Sequence, residues 1–251
     1  MWLAALAVMV HACSNPTIAP HPSRPLRLLV RVMPDAGALD TISITDVFAE
    51  ASAIWRPYVD IEFTAAGRHP AAGFDDELTL VVRNQLIRRS EADSIGLGAI
   101  EFQTPDRPAP AITVSVAAVE MLAAHGSWAG RPFDALPRRI HDDFIVRALG
   151  RSVAHEIGHY LLRSTAHADR GLMRPQFTTL EIMDTRRSAY ALEPAQIRAL
   201  EQRIDARLPS SPLVALLNAR GDEGGAPVDY DARSSLAICA SSTSARPCSG
   251  C

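Results

Sequence analysis

The first strongly apolar run after the N-terminal stretch is Leu-Arg-Leu-Leu-Val-Arg-Val-Met at residues 26–33. It reads as a strand, closed by Pro34, Asp35, Ala36 and Gly37 as a turn. The period then changes. Ile44, Val47, Phe48, Ala51, Ile54 and Trp55 recur at helical spacing, with Thr41 or Ser43 as N-cap and Pro57 as the stop, which predicts an amphipathic helix lying on a sheet. Short strands are predicted at 59–63, 78–83, 95–102 and 111–116, between connections rich in Gly, Pro and Asp. Residues 138–162 contain no proline and carry apolar side chains around most of the helical circumference, so this helix is expected to be central and buried. Periodicity is lost from 163 to 190, where a long irregular segment wrapped against the core is expected. Ile197, Leu200, Ile204 and Leu208 then predict a last helix, opened by Pro194 and ended by Pro209. Beyond 210 the drift into Gly, Ser, Ala and Asp predicts a flexible tail with one short helix at 213–217.

Composition adds boundaries to this picture. With 251 residues and 47% of them hydrophobic, the chain has enough apolar material for one globular domain, expected over 26–208. A net charge of −3 without a long basic run argues against a nucleic-acid partner. Residues 1–12 are apolar but too short to span a bilayer, and they read as an export signal cleaved after Ala12. The stretch Val10, His11, Ala12, Cys13 resembles a lipobox, which makes Cys13 a candidate lipid anchor and the product secreted or a cell-envelope lipoprotein. Residues 13–25, rich in proline, read as a linker, and 209–251 as the tail. Cys239, Cys248 and Cys251 crowd that tail. A disulfide is the expectation there, because no Cys-x-x-Cys pair or nearby histidine favours a metal.

The chemistry concentrates at His155, Glu156, Ile157, Gly158 and His159, late in the predicted central helix. Two histidines four positions apart project from one helix face and can share an ion, while Glu156 is rotated by about 100° and can reach a water beside that ion. Zinc is the expected metal. It lowers the pKa of its water toward neutrality and polarises a carbonyl, and Glu156 takes the proton as general base and passes it to the leaving amine. A catalytic zinc usually has three protein ligands, and the downstream candidates are His167, Asp169 and Glu181. His167 is favoured because histidine is the commonest neutral ligand. On a continuous helix it would lie about 12 Å beyond His159, so the helix must stop near Leu162, through a stretch that offers no glycine. Glu181, with Asp184 behind it, is the alternative. His21, His69, His125 and His141 read as surface histidines, and no Ser or Cys nucleophile pattern competes.

The motif at 155–159, then His167, then Gly171, Leu172, Met173, Arg174 and Pro175, resembles the metzincin clan of zinc peptidases. The resemblance implies an α+β, zincin-like fold: a five-stranded mixed twisted sheet packed on a long active-site helix, with a smaller C-terminal helical subdomain. It implies that Met173 forms a methionine turn beneath the metal, and that residues 94–102 form an edge strand binding substrate in extended form. Tyr190 reads first as structural, with a hydroxyl aimed at the transition state as its other role. One departure stands out. The family places its third histidine six residues after the second with a glycine between, whereas His167 follows His159 by eight with Arg163 at the bend. The expected function is that of a monomeric zinc endopeptidase, with one catalytic ion and a protein or peptide substrate. The alternative is a non-catalytic zincin-fold binding protein or a metal store at the cell envelope.

Overall fold

The computed structural model describes residues 25–39, 42–68, 73–88 and 95–207. The expected signal segment, Cys13, nearly all of the linker and the 209–251 tail lie outside them. Strand β1 (Leu26–Pro34) leads into helix α1 (Ile44–Trp55), followed by β2 (Val59–Ala65) and β3 (Asp76–Arg83). Two short strands, β4 (Ile87–Arg88) and β5 (Ile95–Gly96), precede β6 (Gly98–Thr104) and β7 (Arg107–Ser115). Helix α2 (Val116–His125), the small hairpin β8 (Ser127–Trp128) and β9 (Arg131–Pro132), and then α3 (Arg138–Leu162) follow. The short helix α4 (Thr179–Met183) and α5 (Pro194–Arg207) come last.

The architecture is α+β. Its main sheet has five strands in the order β2-β1-β3-β7-β6. The β1–β2, β1–β3 and β3–β7 pairs are parallel, and β6 runs antiparallel to β7, so the sheet is mixed and β6 forms one of its edges. Parallel β1 and β2 require a crossover, which α1 supplies. Leu28, Leu29 and Val30 of β1 are successive and all buried, as an interior strand requires.

Helix α3 occupies the bounds the sequence predicts, and every residue from Ala148 to Leu161 is buried. It packs along α1 and against β7 and β6. Trp55, at the end of α1, is wholly buried and its indole N–H donates to the Ala154 carbonyl at 3.0 Å, which satisfies the one polar atom it brings into the core. At the far end of α3, Arg203 of α5 donates to the carbonyls of Tyr160 (2.7 Å) and Leu161, and pairs with Asp76 at 3.2 Å. A cation there meets last-turn carbonyls that have no partner within the helix, and the negative end of the helix dipole.

The structure corrects several element boundaries. The strand expected at 95–102 is broken at Leu97, whose carbonyl accepts from Ser115 N–H at 2.9 Å; Ile95–Gly96 pairs instead with Ile87–Arg88. The strand expected at 111–116 begins earlier, at Arg107, and includes Pro108 and Pro110. These prolines are tolerated because β3 pairs with β7 only over Ala111–Ser115, which leaves the 107–110 arm beyond the sheet interior. Val116 belongs not to that strand but to α2, whose N-cap Ser115 accepts from Ala118 N–H at 3.0 Å. The segment expected to be irregular contains α4, closed by a capping box between Thr178 and Glu181.

Candidate metal centre

His155, Glu156 and His159 lie on the buried last turns of α3, with 8%, 3% and 4% of their surfaces exposed, so none of them is simply solvated. The helix ends where His167 needs it to end. Its C-cap, Arg163, adopts the left-handed conformation at φ 51° and ψ 45°, which turns the chain without glycine. Ser164 N–H then donates back to the His159 carbonyl at 3.3 Å, and the chain runs through 165–166 to bring His167 over the helix face. The two residues added before the third histidine are thus absorbed by this cap and the short loop after it.

The orientation of the two helix imidazoles is set by backbone. The Leu172 carbonyl accepts from His155 Nδ1 at 2.8 Å, and the Ser164 carbonyl accepts from His159 Nδ1 at 2.6 Å. A carbonyl only accepts, so in the neutral rings both protons sit on Nδ1 and both Nε2 atoms carry lone pairs. Those two Nε2 atoms stand 3.1 Å apart. Facing lone pairs repel at that distance, and a cation between them reverses the sign. Two nitrogens bound to one tetrahedral zinc stand roughly 3.3 Å apart, given Zn–N bonds of about 2.0–2.1 Å. The ring of His167 closes the group, with centroids 5.3 Å from His155 and 4.9 Å from His159. The possible ligand nitrogens of all three lie within 4.8 Å of one another, and His167 is the exposed member. Among the described residues this is the group of His, Cys, Asp and Glu side chains that could hold a metal ion, and its donor set suits zinc.

Met173 is 1% exposed and packs against Gly158, the helix residue before His159. Its carbonyl accepts from Ala168 N–H at 2.8 Å, which folds the loop after His167 back on itself. Gly158 makes room for it: a Cβ at that position would fall 2.3 Å from the methionine sulfur. A glycine inside the helix, at a helical cost of about 1 kcal/mol, therefore buys the close approach of the methionine turn.

The other candidates are engaged elsewhere. One Glu181 carboxylate oxygen accepts from Arg174 at 2.7 Å and the other from Thr178 N–H and O–H, each at 2.8 Å, so this group caps α4. The Thr178 backbone N–H, then its hydroxyl and Arg174, hold the Glu181 carboxyl below its usual range against the opposing effect of burial. Asp184 accepts from Arg186. Asp169 is exposed in a depression of about 340 Å³ that opens beside His167, with Arg174 and Gln176 also in its wall. Tyr190 is engaged structurally: its hydroxyl accepts from Arg151 at 3.0 Å and its ring stacks on Phe177 with centroids 4.8 Å apart. Burial pushes its phenol up, opposed by Arg151. His125 is exposed and His141 faces Asp142; His21 and His69 lie outside the described residues.

Sequence reasoning missed the support around the site. Arg151, one turn before His155, donates through Nε to Glu50 at 2.9 Å and through its two Nη atoms to the carbonyls of Glu181, Ile182 (2.9 Å) and Asp184 (2.7 Å). It ties the segment after the methionine turn to α3. Nothing local in sequence marks this role, since Glu50 lies a hundred residues away.

Neither a family model nor a curated protein matches this chain. Among solved structures it is similar to archaemetzincin from Methanopyrus kandleri, with a TM-score of 0.42 and 13% identity over 75% of this chain and 99% of that one. It is also similar to a zinc-dependent peptidase from Methanocorpusculum labreanum, with a TM-score of 0.42 and 15% identity over 69% of this chain and 99% of that one. Two histidines late in a long buried helix and a third from the loop after it, followed by a buried methionine, make the arrangement metzincin-like.

Proposed function

We propose that this protein is a zinc-dependent endopeptidase in which His155, His159 and His167 hold one zinc ion and Glu156 is the general base. The observation that carries the reading is the 3.1 Å approach of two Nε2 atoms whose Nδ1 partners are both carbonyl oxygens. Zinc at that point supplies Lewis-acid polarisation of the scissile carbonyl and a water acidified toward neutral pH. Glu156, next to His155 on the helix and beside the start of β6, removes the proton from the attacking water and returns it to the leaving amine. The outer edge of β6 offers backbone N–H and C=O groups to an extended peptide, and the depression beside His167 receives one of its side chains.

The test measures zinc content and hydrolysis of a quenched-fluorescent peptide library for wild type, Glu156→Ala, His167→Ala and Glu181→Ala. Wild type is expected to bind one zinc per chain and to cleave. Glu156→Ala should keep the zinc and lose roughly 10²–10⁴-fold in kcat. His167→Ala should lose zinc affinity, and Glu181→Ala should keep it. Undiminished hydrolysis by Glu156→Ala removes that carboxylate from the mechanism. Tight zinc with no cleavage by wild type favours the non-catalytic metal-binding alternative.

A further inference from the structure

We propose that Gly98, the first residue of edge strand β6, is a positioning residue for Glu156, and that its missing side chain fixes where the carboxylate sits. A Cβ placed on Gly98 would lie 2.7 Å from Glu156 Cγ, 2.7 Å from Oε1 and 3.0 Å from Cδ. Real Cβ atoms do not approach that closely, so something must move. Three candidates could yield: the strand, the helix or the carboxylate arm.

The strand is held. Gly98 is buried and pairs with Val114, and the carbonyl of the preceding Leu97 accepts from Ser115 N–H at 2.9 Å. Ser115 is itself fixed, completely buried, with its hydroxyl donating to the Gln85 carbonyl at 2.7 Å and capping α2. The helix is held as well, since Val153, Ala154 and Ile157 around Glu156 are fully buried in the core. What remains is the Glu156 side chain, whose Cγ, Cδ and Oε1 are the atoms the new Cβ would meet and which can shift by rotation about χ1 and χ2. Any side chain at position 98 therefore displaces the carboxylate and leaves the histidine cluster, built on the neighbouring face of α3 and on the 164–173 loop, in place.

Kinetically the proposal rests on the peptidase reading above; its structural part does not. Two measurements separate them. In thermal unfolding of the metal-free protein, Gly98→Ala should lower Tm by about 3 °C in the wild-type background. In the Glu156→Ala background, where Cγ, Cδ and Oε1 are gone, the same change should be neutral or raise Tm, because alanine in a strand otherwise improves on glycine. In hydrolysis assays, Gly98→Ala should bind zinc as wild type does and keep its KM, with kcat down about 100-fold, the size of effect that follows a displacement of about 1 Å. Equal Tm losses in both backgrounds, or full kcat in Gly98→Ala, overturn the proposal. A background-dependent Tm change in a protein that cleaves no peptide upholds the positioning of Glu156 by Gly98 and overturns the peptidase reading alone.

Discussion

Replacing Arg151 by leucine removes the cation around which the segment after the methionine turn is organised. The side chain is 3% exposed and Glu50, its partner, is 8% exposed, so the pair lies in the interior. Removing one member of a buried ion pair typically costs about 3–5 kcal/mol, because the other charge is stranded. Here the stranding is incomplete, since Arg187 also donates to Glu50, at 2.6 Å. Against that relief stand the carbonyls of Glu181, Ile182 and Asp184 and the Tyr190 hydroxyl, all of which lose a charged partner. Each buried acceptor left unsatisfied costs on the order of 1–3 kcal/mol, less where water can enter. The half-exposed stretch around Glu181 and Asp184 admits water. A net loss of about 4 kcal/mol is expected, equivalent to a Tm fall of roughly 10 °C for a domain of this size. The assay is urea and thermal unfolding with chelator present, so that metal affinity does not enter the stability. The contrast is Arg187→Ala: this arginine shares the same carboxylate but is 45% exposed, and should cost no more than about 1 kcal/mol. Equal effects from the two substitutions, or a Tm for Arg151→Leu within about 2 °C of wild type, would refute the assignment of Arg151 as the organising cation.

Gly158→Ala should destabilise the fold by about 1–3 kcal/mol, because the new methyl meets the Met173 sulfur at 2.3 Å; combined with Met173→Ala, it should cost less than the sum of the single changes in chemical unfolding. Arg163→Gly should stabilise by about 0.5–1 kcal/mol, the left-handed strain relieved less the entropy of glycine, whereas Arg163→Val should destabilise; urea midpoints read both. The Glu181 carboxyl, ordinarily near 4.5, is lowered in the folded protein, so its contribution is present above that value and is lost as pH falls through the depressed one. The Tm difference between wild type and Glu181→Gln should therefore be largest near neutrality and shrink below pH 4.5; a difference constant with pH would count against the carboxylate's role in capping α4.

The parts of the molecule that announce themselves in sequence are those whose stability is local or periodic. Helix α3 is legible to its last residue because an unbroken helical run must end before His167 can return to His155 and His159. The cores of β1, β3 and the second half of β7 are legible from their density of Val, Leu and Ile, whereas β6, with Ile100 alone, is not. Helix α2 is not, because it follows β7 with no glycine or proline between, and Val114, Ser115 and Val116 read as one apolar run; the single signal is Ser115 acting as an N-cap. Glu181 shows the converse ambiguity. The same carboxylate fits a metal ligand by composition and a capping box by its spacing from Thr178, and the capping box is formed.

What no local pattern carries is the loop between the second and third histidines. Judged by spacing, two extra residues and an arginine in place of a glycine are defects. In three dimensions they form the device that aims the site. The left-handed Arg163 turns the Ser164 carbonyl onto Nδ1 of His159, and the return of the chain past Ala168 sets the Leu172 carbonyl onto Nδ1 of His155. Each imidazole is thus forced into the tautomer that presents Nε2 to a common point by a main-chain atom that no residue type encodes. Substitution at Ser164 or Leu172 that keeps the backbone should leave the cluster intact, and only changes to the path of the loop should disperse it.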